Sequence, residues 1–143
     1  MNLDFVNTAE EKQLKLLLAQ SGLYSEDINP SDLRHFLVMR DGTRLVGVVG
    51  LEVVGESSLL RSLAVLPRYR NKGIASELVR KMEEYARSKG IEKLYLLTIT
   101  AEEFFAKQGY QEINRRSAPD ALQVTTEFRS ICPSTAICMV KRL

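Results

Sequence analysis

The sequence has little of several features that define whole classes of protein. Two cysteines are too few for a disulfide framework, so a reducing cytoplasm is the expected location. No apolar run approaches the roughly 20 residues that cross a bilayer, and the first residues lack a basic segment followed by an apolar block. We therefore expect no membrane span, no signal peptide and no metal site.

An excess of charge of one sign is also missing. The formal net charge is +2 over 143 residues, which does not indicate a protein that coats a polyanion. No aromatic stacking platform accompanies the basic segment Arg68–Lys72, so a nucleic-acid module is disfavoured. Hydrophobic residues make up 45% of the chain, and residues 1–143 are expected to form a single domain with its own core.

The most informative stretch runs from Ser57 to Ser88. Branched apolar residues at Leu59–Leu66 predict a buried strand, which Pro67 ends because proline has no N–H to donate to a sheet. After a basic turn, apolar residues recur at steps of three and four from Ile74, which predicts an amphipathic helix. The unit is therefore a strand, a basic turn and a helix.

The basic turn suits an anion. The first N–H groups of a helix have no intrahelical partner, and the helix dipole adds positive charge there. Capping boxes are predicted at two other helix starts, Thr8–Glu11 and Thr100–Glu103. The helix after Arg68–Lys72 has no acid before Glu77, and Gly73 leaves room for a ligand. This pattern favours a phosphate or pyrophosphate, although an ordinary solvated basic turn has the same spacing.

The remaining segments predict a mixture of strands and helices. Asp41-Gly42 is a strong hairpin signal between two strands, which with the next strand should form an antiparallel meander. Strand, helix and strand in succession then predict a parallel crossover. The predicted helices cover residues 8–20, 74–88 and 101–108, and the predicted strands cover 35–40, 44–54, 59–66, 93–99, 110–114 and 135–140.

The segment Arg70-Asn71-Lys72-Gly73-Ile74-Ala75 matches [RQ]-x-x-G-x-[GA], the acetyl-CoA signature of the GNAT superfamily of N-acetyltransferases. Its position between an apolar strand and a helix of suitable length strengthens the match, and the whole chain resembles a GNAT protein. The resemblance implies an α/β fold: a single GNAT (acyl-CoA N-acyltransferase) domain with a mixed, mostly antiparallel sheet flanked by helices. It also implies acetyl-CoA as the cofactor.

The resemblance further implies which residues contact the cofactor. Main-chain groups of one strand would pair with the pantetheine arm, the turn would hold the pyrophosphate, and a short helix would flank the far end of the arm. These residues are Leu63, Ala64 and Val65, then Arg70, Asn71, Lys72, Gly73, Ile74, Ala75 and Ser76, and finally Phe104, Phe105 and Lys107.

The chemistry requires a base for the attacking amine, and an acid can assist the leaving thiolate. Many GNAT enzymes use a tyrosine of the short helix as this acid, but Phe105 stands at that position and has no proton to give. The asparagine that often precedes the helix is also absent, and Thr98 and Thr100 occupy that neighbourhood. Three alternatives remain: unassisted departure, assistance from Tyr110, Tyr69 or water, or no catalysis at all.

Glu52 is the first candidate for the base. It lies in an apolar strand, where an acid is costly unless it is used or paired. The alternative is a glutamate on the solvent face of a half-exposed strand. Glu127 is a second candidate from the tail, whereas His35, the single histidine, is expected to be structural or exposed.

The acceptor site is expected to be bordered by Tyr24, Asp27 and the segment Arg115–Ser117. Arg115 and Arg116 lie side by side, which suits an anionic group such as an amino-acid carboxylate, because arginine matches it bidentately. A solvated loop is the alternative.

Three segments resemble the GNAT branch associated with arsenic resistance: Leu59–Val65, Leu96–Phe105 and Thr125–Met139. This resemblance implies an acceptor that is a small molecule, such as an amino acid or a toxic, arsenic-containing analogue. Cys132 and Cys138 belong to the third segment, but two thiols six residues apart need not converge on a soft ion. We expect them to act as small buried hydrophobes.

The sequence thus predicts an acetyl-CoA-dependent N-acetyltransferase that acts on the amine of a small molecule, with no nucleic-acid or membrane partner. A coenzyme-A-binding sensor or regulatory protein without turnover is the alternative, favoured by Phe105. Pairing of the last strands at the sheet edge is compatible with a homodimer.

Overall fold

A computed structural model describes the backbone of residues 1–143 and all side chains except those of residues 130 and 131. Seven strands form a mixed sheet in the order β1-β2-β3-β4-β5-β7-β6. The strands are β1 Asn2–Phe5, β2 Phe36–Asp41, β3 Arg44–Glu52, β4 Ser57–Val65, β5 Lys93–Thr98, β6 Gln111–Ile113 and β7 Ile137–Arg142. The helices are α1 Glu11–Gln20, α2 Ile74–Ser88, α3 Glu102–Lys107 and α4 Asp120–Gln123, and Glu127–Ile131 forms a π-helical turn.

The chain divides into two compact units. The first unit comprises residues 1–52 and 61–84, and the second comprises residues 53–60 and 85–143. Strand β4 and helix α2 therefore contribute residues to both units.

The first unit contains an antiparallel arrangement of β1, β2 and β3. Val38 lies opposite Asp4 on one side and Val48 on the other. Gly50 of β3 allows close packing, because an added Cβ there would lie 2.5 Å from ring atoms of Phe36. Helix α1 buries Leu14, Leu17 and Leu18 on one face, as three- and four-residue spacing requires, whereas Leu16 is 58% exposed. The core comprises Val6, Leu14, Leu17, Leu18, Ile28, Leu33, Phe36, Val38, Leu45, Val48 and Ala64.

The second unit is built around β5 and β7. These strands are antiparallel, from Lys93 opposite Arg142 to Thr98 opposite Ile137, and β6 pairs with the other side of β7. The start of β4 runs parallel to β5, with Ser57 opposite Lys93 and Leu59 opposite Tyr95. The core comprises Leu59, Tyr95, Ala118, Leu122, Phe128 and Cys138.

The predicted strands and main helices are confirmed within a few residues, but both predicted capping boxes are wrong. Thr8 lies inside a 3-10 turn, so the box moves back one residue and the Asn7 N–H donates to Glu10 Oε1 at 3.0 Å. Before α3, Thr98 Oγ1 accepts from the Ala101 N–H at 3.0 Å in place of Thr100. Strand β1 was not predicted. None of the helices in the described part of the chain has the length and apolar character to cross a bilayer.

Candidate active site

The turn between β4 and α2 is held in place by hydrogen bonds within the first unit. The Leu66 N–H donates to the Val46 carbonyl at 2.9 Å, and the Tyr69 N–H donates to the Leu66 carbonyl at 2.9 Å. The side chain of Arg70 closes the turn, because its Nε donates to the Val65 carbonyl at 3.0 Å. Arg70 thus orders the backbone whose amides begin the following helix.

Two left-handed residues shape the entrance to α2. Asn71 has φ 62° and Gly73 has φ 82°, and helix α2 begins at Ile74. An added Cβ at Gly73 would meet no atom within 4 Å, so this glycine serves a backbone conformation and also leaves open space. Residues 70–73 are exposed, and Glu77 is the acid of the first helical turn. The Arg70 N–H already donates to the Pro67 carbonyl at 3.3 Å, and an anion can approach the exposed backbone that follows it.

Tyr69 connects this turn to the end of β2. Its hydroxyl donates to Asp41 Oδ2 at 2.6 Å, and Lys72 Nζ lies 5.9 Å from the centre of its ring. The hydrogen bond to Asp41 raises the pKa of Tyr69. Because this hydroxyl hydrogen is directed at Asp41, the arrangement disfavours Tyr69 as the proton donor to a leaving thiolate.

Strand β4 contains a backbone irregularity at Ser62. This buried residue has φ 59°, a left-handed conformation that is rare for a serine within a strand and typical of a bulge. The predicted pantetheine-binding residues follow at once: Leu63 is partly exposed, whereas Ala64 and Val65 are buried. Non-glycine residues in this conformation cluster at functional sites. No feature of the sequence distinguishes Ser62 from an ordinary strand residue.

Arg61, one residue earlier, lies in a polar cluster inside the first unit. Its side chain is only 4% exposed. The guanidinium contacts both oxygens of Asp27, with Nη2 donating to Oδ1 at 2.8 Å and Nη1 donating to Oδ2. Nε donates to Ser62 Oγ at 3.1 Å, and Nη1 donates to Glu52 Oε1 at 3.3 Å. We call Asp27, Glu52, Arg61 and Ser62 the Arg61 cluster.

Glu52, the predicted base, is the last residue of β3 and is paired in this cluster. Its side chain is 35% exposed. Glu52 is therefore both partly exposed to solvent and paired with Arg61, the two situations that the sequence left open. Burial raises the pKa of Glu52 above its ordinary value, and this effect outweighs the opposing effect of Arg61. Asp27 raises the pKa further. Sequence reasoning did not identify Arg61; its one signal was an arginine within an apolar strand.

The predicted cofactor residues of α3 lie in the second unit. Phe105 is 6% exposed, and its ring makes edge contacts with Phe104 at 5.0 Å and Tyr110 at 5.5 Å between centroids. Phe105 is therefore a core ring. Lys107 is exposed. Tyr110 is 2% exposed and packs beneath Lys141, whose Nζ lies 5.6 Å from the ring centre.

Arg115, a predicted acceptor residue, is bonded to the tail of the chain. Its guanidinium donates to the carbonyls of Phe128 at 2.7 Å, Pro133 at 2.7 Å and Cys132 at 3.3 Å. These bonds tie the tail together and engage both Nη atoms of Arg115, so its binding of a substrate carboxylate stays a prediction. Arg116 is exposed.

The other candidates are placed as follows. Tyr24 is 43% exposed, His35 accepts from Arg34 Nε at 3.3 Å through its Nε2, and Glu127 is buried in the second unit. Cys138 is buried, and burial raises the pKa of its thiol to about 11. Cys132 is partly exposed.

Known proteins match this chain in sequence. An uncharacterized N-acetyltransferase of Chlorobaculum tepidum is 38% identical over 88 residues, which cover 59% of this chain and 54% of that protein. An amino-acid acetyltransferase of Pseudomonas paraeruginosa is 27% identical over 99 residues, covering 68% of this chain and 23% of that protein. The chain thus aligns with about half the length of the first relative and about a quarter of the second.

The fold is also known. An N-acetylglutamate synthase from Neisseria gonorrhoeae, crystallised with coenzyme A and N-acetyl-glutamate, superposes with a TM-score of 0.87 at 20% sequence identity. The match covers 99% of this chain and 35% of that chain, and it shows a common fold. The sequence profile of the Acetyltransferase (GNAT) family matches residues 4–110, which is most of the chain. The protein therefore belongs to the GNAT family of acetyltransferases.

Proposed function

We propose that this protein transfers an acetyl group from acetyl-CoA to the amine of a small molecule, and that residues 1–143 act as one GNAT domain. The open, cationic turn before α2 carries the proposal. Its exposed amides follow a left-handed Asn71 and Gly73, and the nearest acid of the helix is Glu77. Such a helix start suits the pyrophosphate of coenzyme A.

The bound cofactor would use chain groups from Leu63 to Ser76. Main-chain groups of Leu63–Val65 would pair with the pantetheine arm, and the amides of Arg70–Ser76 would receive the pyrophosphate. Two GNAT-fold neighbours, the gonococcal synthase and an enzyme from Thermoplasma acidophilum, were crystallised with coenzyme A. These observations support acetyl-CoA as the acetyl donor.

In the reaction the acceptor nitrogen loses two protons and the thiolate takes up one. The acceptor ammonium loses its first proton to Glu52, directly or through water, and the free amine attacks the thioester carbonyl carbon. As the C–S bond breaks, the nitrogen of the adduct gives up its second proton, and the thiolate takes up a proton to give coenzyme A. Glu52 is the proposed base because it is a partly exposed carboxylate whose pKa is raised by burial, and a raised pKa makes a carboxylate a stronger base. Phe105 offers no proton, so water is the proposed source for the thiolate.

The acceptor is proposed to be an amino acid or a similar small amine. A relative is named as an amino-acid acetyltransferase, and the gonococcal neighbour holds N-acetyl-glutamate. Tyr24 and Arg116 are the exposed acceptor candidates. A toxic or arsenic-containing analogue as acceptor, a cytoplasmic location and a homodimer stay predictions.

Calorimetry with acetyl-CoA tests the proposal, with Gly73→Glu as the disrupting variant. A glutamate carboxylate at the start of α2 should repel the pyrophosphate and weaken binding by about 10–100-fold. Gly90→Glu is the matched control, because Gly90 also has positive φ (79°) and open space around its Cβ. This variant should bind like the wild type.

Thiol release with a panel of amino acids and other amines then tests turnover. Micromolar binding that Gly73→Glu alone weakens, followed by thiol release, supports the proposal. A folded wild type that binds no acetyl-CoA overturns it. Binding without thiol release for any amine favours the sensor alternative, to which the missing hydroxyl at Phe105 also points.

A further inference from the structure

The Arg61 cluster has an uneven arrangement of bonds. Asp27 engages the guanidinium with both carboxylate oxygens, whereas Glu52 is reached through one oxygen at a longer 3.3 Å. Asp27 is also the more enclosed acid, with a side-chain exposure of 12% against 35% for Glu52. One acid thus anchors the arginine, and the other is held loosely by it.

The left-handed conformation of Ser62 in β4 contributes to this arrangement. In a regular strand, successive side chains point to opposite faces. The left-handed Ser62 breaks that alternation, and Arg61 Nε lies 3.1 Å from Ser62 Oγ. The hydroxyl accepts from Nε, and Asp27 accepts from both Nη atoms, so Asp27 and Ser62 together fix the guanidinium of Arg61.

We propose that Arg61 and Asp27 are positioning residues for Glu52: Asp27 fixes the guanidinium, and Nη1 of Arg61 then fixes the Glu52 carboxylate in the orientation in which it accepts a proton. This inference rests on the proposed function for the identity of the reaction and for Glu52 as its base. A single contact to Oε1 leaves Oε2 of Glu52 available to an amine or a water. A bidentate contact with Arg61 would engage both oxygens and make Glu52 a poorer base.

Three charged groups act on Glu52 in the described part of the first unit. Arg61 favours the ionised carboxylate, whereas Asp27 and, more weakly, Asp32 disfavour it. Removing Asp27 should therefore lower the pKa of Glu52 and leave Arg61 free to pair with it more fully. Removing Arg61 should raise the pKa of Glu52. Opposite signs follow from the two charges alone, so the evidence for positioning is a larger shift in the Asp27 variant than in a variant of an acid that does not contact Arg61.

The test is a carbon-13 NMR titration of the side-chain carboxyl of Glu52, assigned by its loss in Glu52→Gln. The variants are Asp27→Asn and Arg61→Gln, and Asp32→Asn is the matched control, since it removes the same charge from a residue without a bond to Arg61. We expect the midpoint to fall in Asp27→Asn, to fall less in Asp32→Asn, and to rise in Arg61→Gln. Equal shifts in Asp27→Asn and Asp32→Asn, or shifts of one sign in Asp27→Asn and Arg61→Gln, would overturn the inference. If Arg61→Gln does not fold, the comparison of the two asparagine variants decides.

Kinetics separates this inference from the proposed function. The acidic limb of the pH profile of kcat/KM marks ionisation of the base, and it should move to lower pH in Asp27→Asn. The plateau value of kcat/KM should drop by about 10-fold, because the carboxylate of Glu52 is misplaced. Midpoints that shift as expected while the limb stays fixed would support the positioning of Glu52 and overturn its role as the base.

Discussion

Arg61 in the first unit and Arg115 in the second illustrate two uses of the same side chain. Both guanidinium groups are held by several oxygen atoms. Arg61 is held by the carboxylates of Asp27 and Glu52, whereas Arg115 is held by the main-chain carbonyls of Phe128, Cys132 and Pro133. Carboxylates gain and lose protons and main-chain carbonyls do not, so the contacts of Arg61 depend on the protonation of its partners and those of Arg115 do not.

The largest expected difference concerns stability. Arg61→Gln leaves two acids without their shared cation, so the free energy of unfolding should fall by about 3–5 kcal/mol. Arg115→Gln removes bonds to neutral carbonyls and should cost about 1–3 kcal/mol. Urea unfolding at pH 7 measures both values. Equal costs would show that the charge of the partners does not matter.

In the region around Arg115, the thiol of Cys138 should make the free energy of unfolding depend on pH in the alkaline range. Burial raises the pKa of Cys138 from 9.0 to about 11, and nearby Arg115 only partly opposes this shift. Above pH 9 the thiol of the unfolded chain ionises first, so stability falls as the pH rises towards 11, by about 2–3 kcal/mol. The measurement is urea unfolding of wild type and Cys138→Val at several pH values. The difference between the two proteins should change across this window, and a constant difference would refute the assignment.

Arg40 extends the comparison of Arg61 and Arg115, because it contacts both a carboxylate and a main-chain carbonyl. It contacts both oxygens of Glu10, at 2.8 and 2.7 Å, and the carbonyl of Phe5 at 2.9 Å. The hydrogen bond from Arg40 lowers the pKa of Glu10. The stabilisation that the ionised Glu10 carboxylate provides is thus fully present above the ordinary pKa of a glutamate. It is lost as the pH falls through the lowered pKa of Glu10 in the folded protein.

Glu10→Gln should therefore cost about 1–2 kcal/mol at pH 7 and progressively less in acid. Unfolding at pH 7 and at lower pH gives this dependence. Glu11→Gln, which removes a partly exposed pair with Lys15 on α1, is the control and should cost about 0.3 kcal/mol. A cost for Glu10→Gln that did not depend on pH would mean that the lost stabilisation does not come from the ionised carboxylate.

Local signals in the sequence predicted much of the fold and the basic turn between β4 and α2. The Asp41-Gly42 hairpin, the end of the strand before Pro67 and the apolar spacing from Ile74 each depend on neighbouring residues, and the structure has each in its predicted place. Family membership followed from the segment Arg70–Ala75 in that context and is shown by the matching family profile. These features are local because backbone sterics and helix periodicity act over a few residues.

The partners of the charged side chains were not predictable in this way. Asp27 lies 34 residues before Arg61, and the carbonyl of Pro133 lies 18 residues after Arg115. The sequence alone suggested Arg115 as a substrate ligand and did not single out Arg61. It likewise did not show that Phe105 is a core ring.

The sequence by itself determined the order of the strands and helices from β2 to β6, the glycine turn before α2 and the family of this protein, because periodicity and turn chemistry are properties of short segments. Only the tertiary structure decided which acids surround Arg61, that Ser62 adopts a left-handed conformation, and that Arg115 holds the tail. Those outcomes depend on which distant segments pack together, and packing fixes the burial and the charges that set the pKa of Glu52.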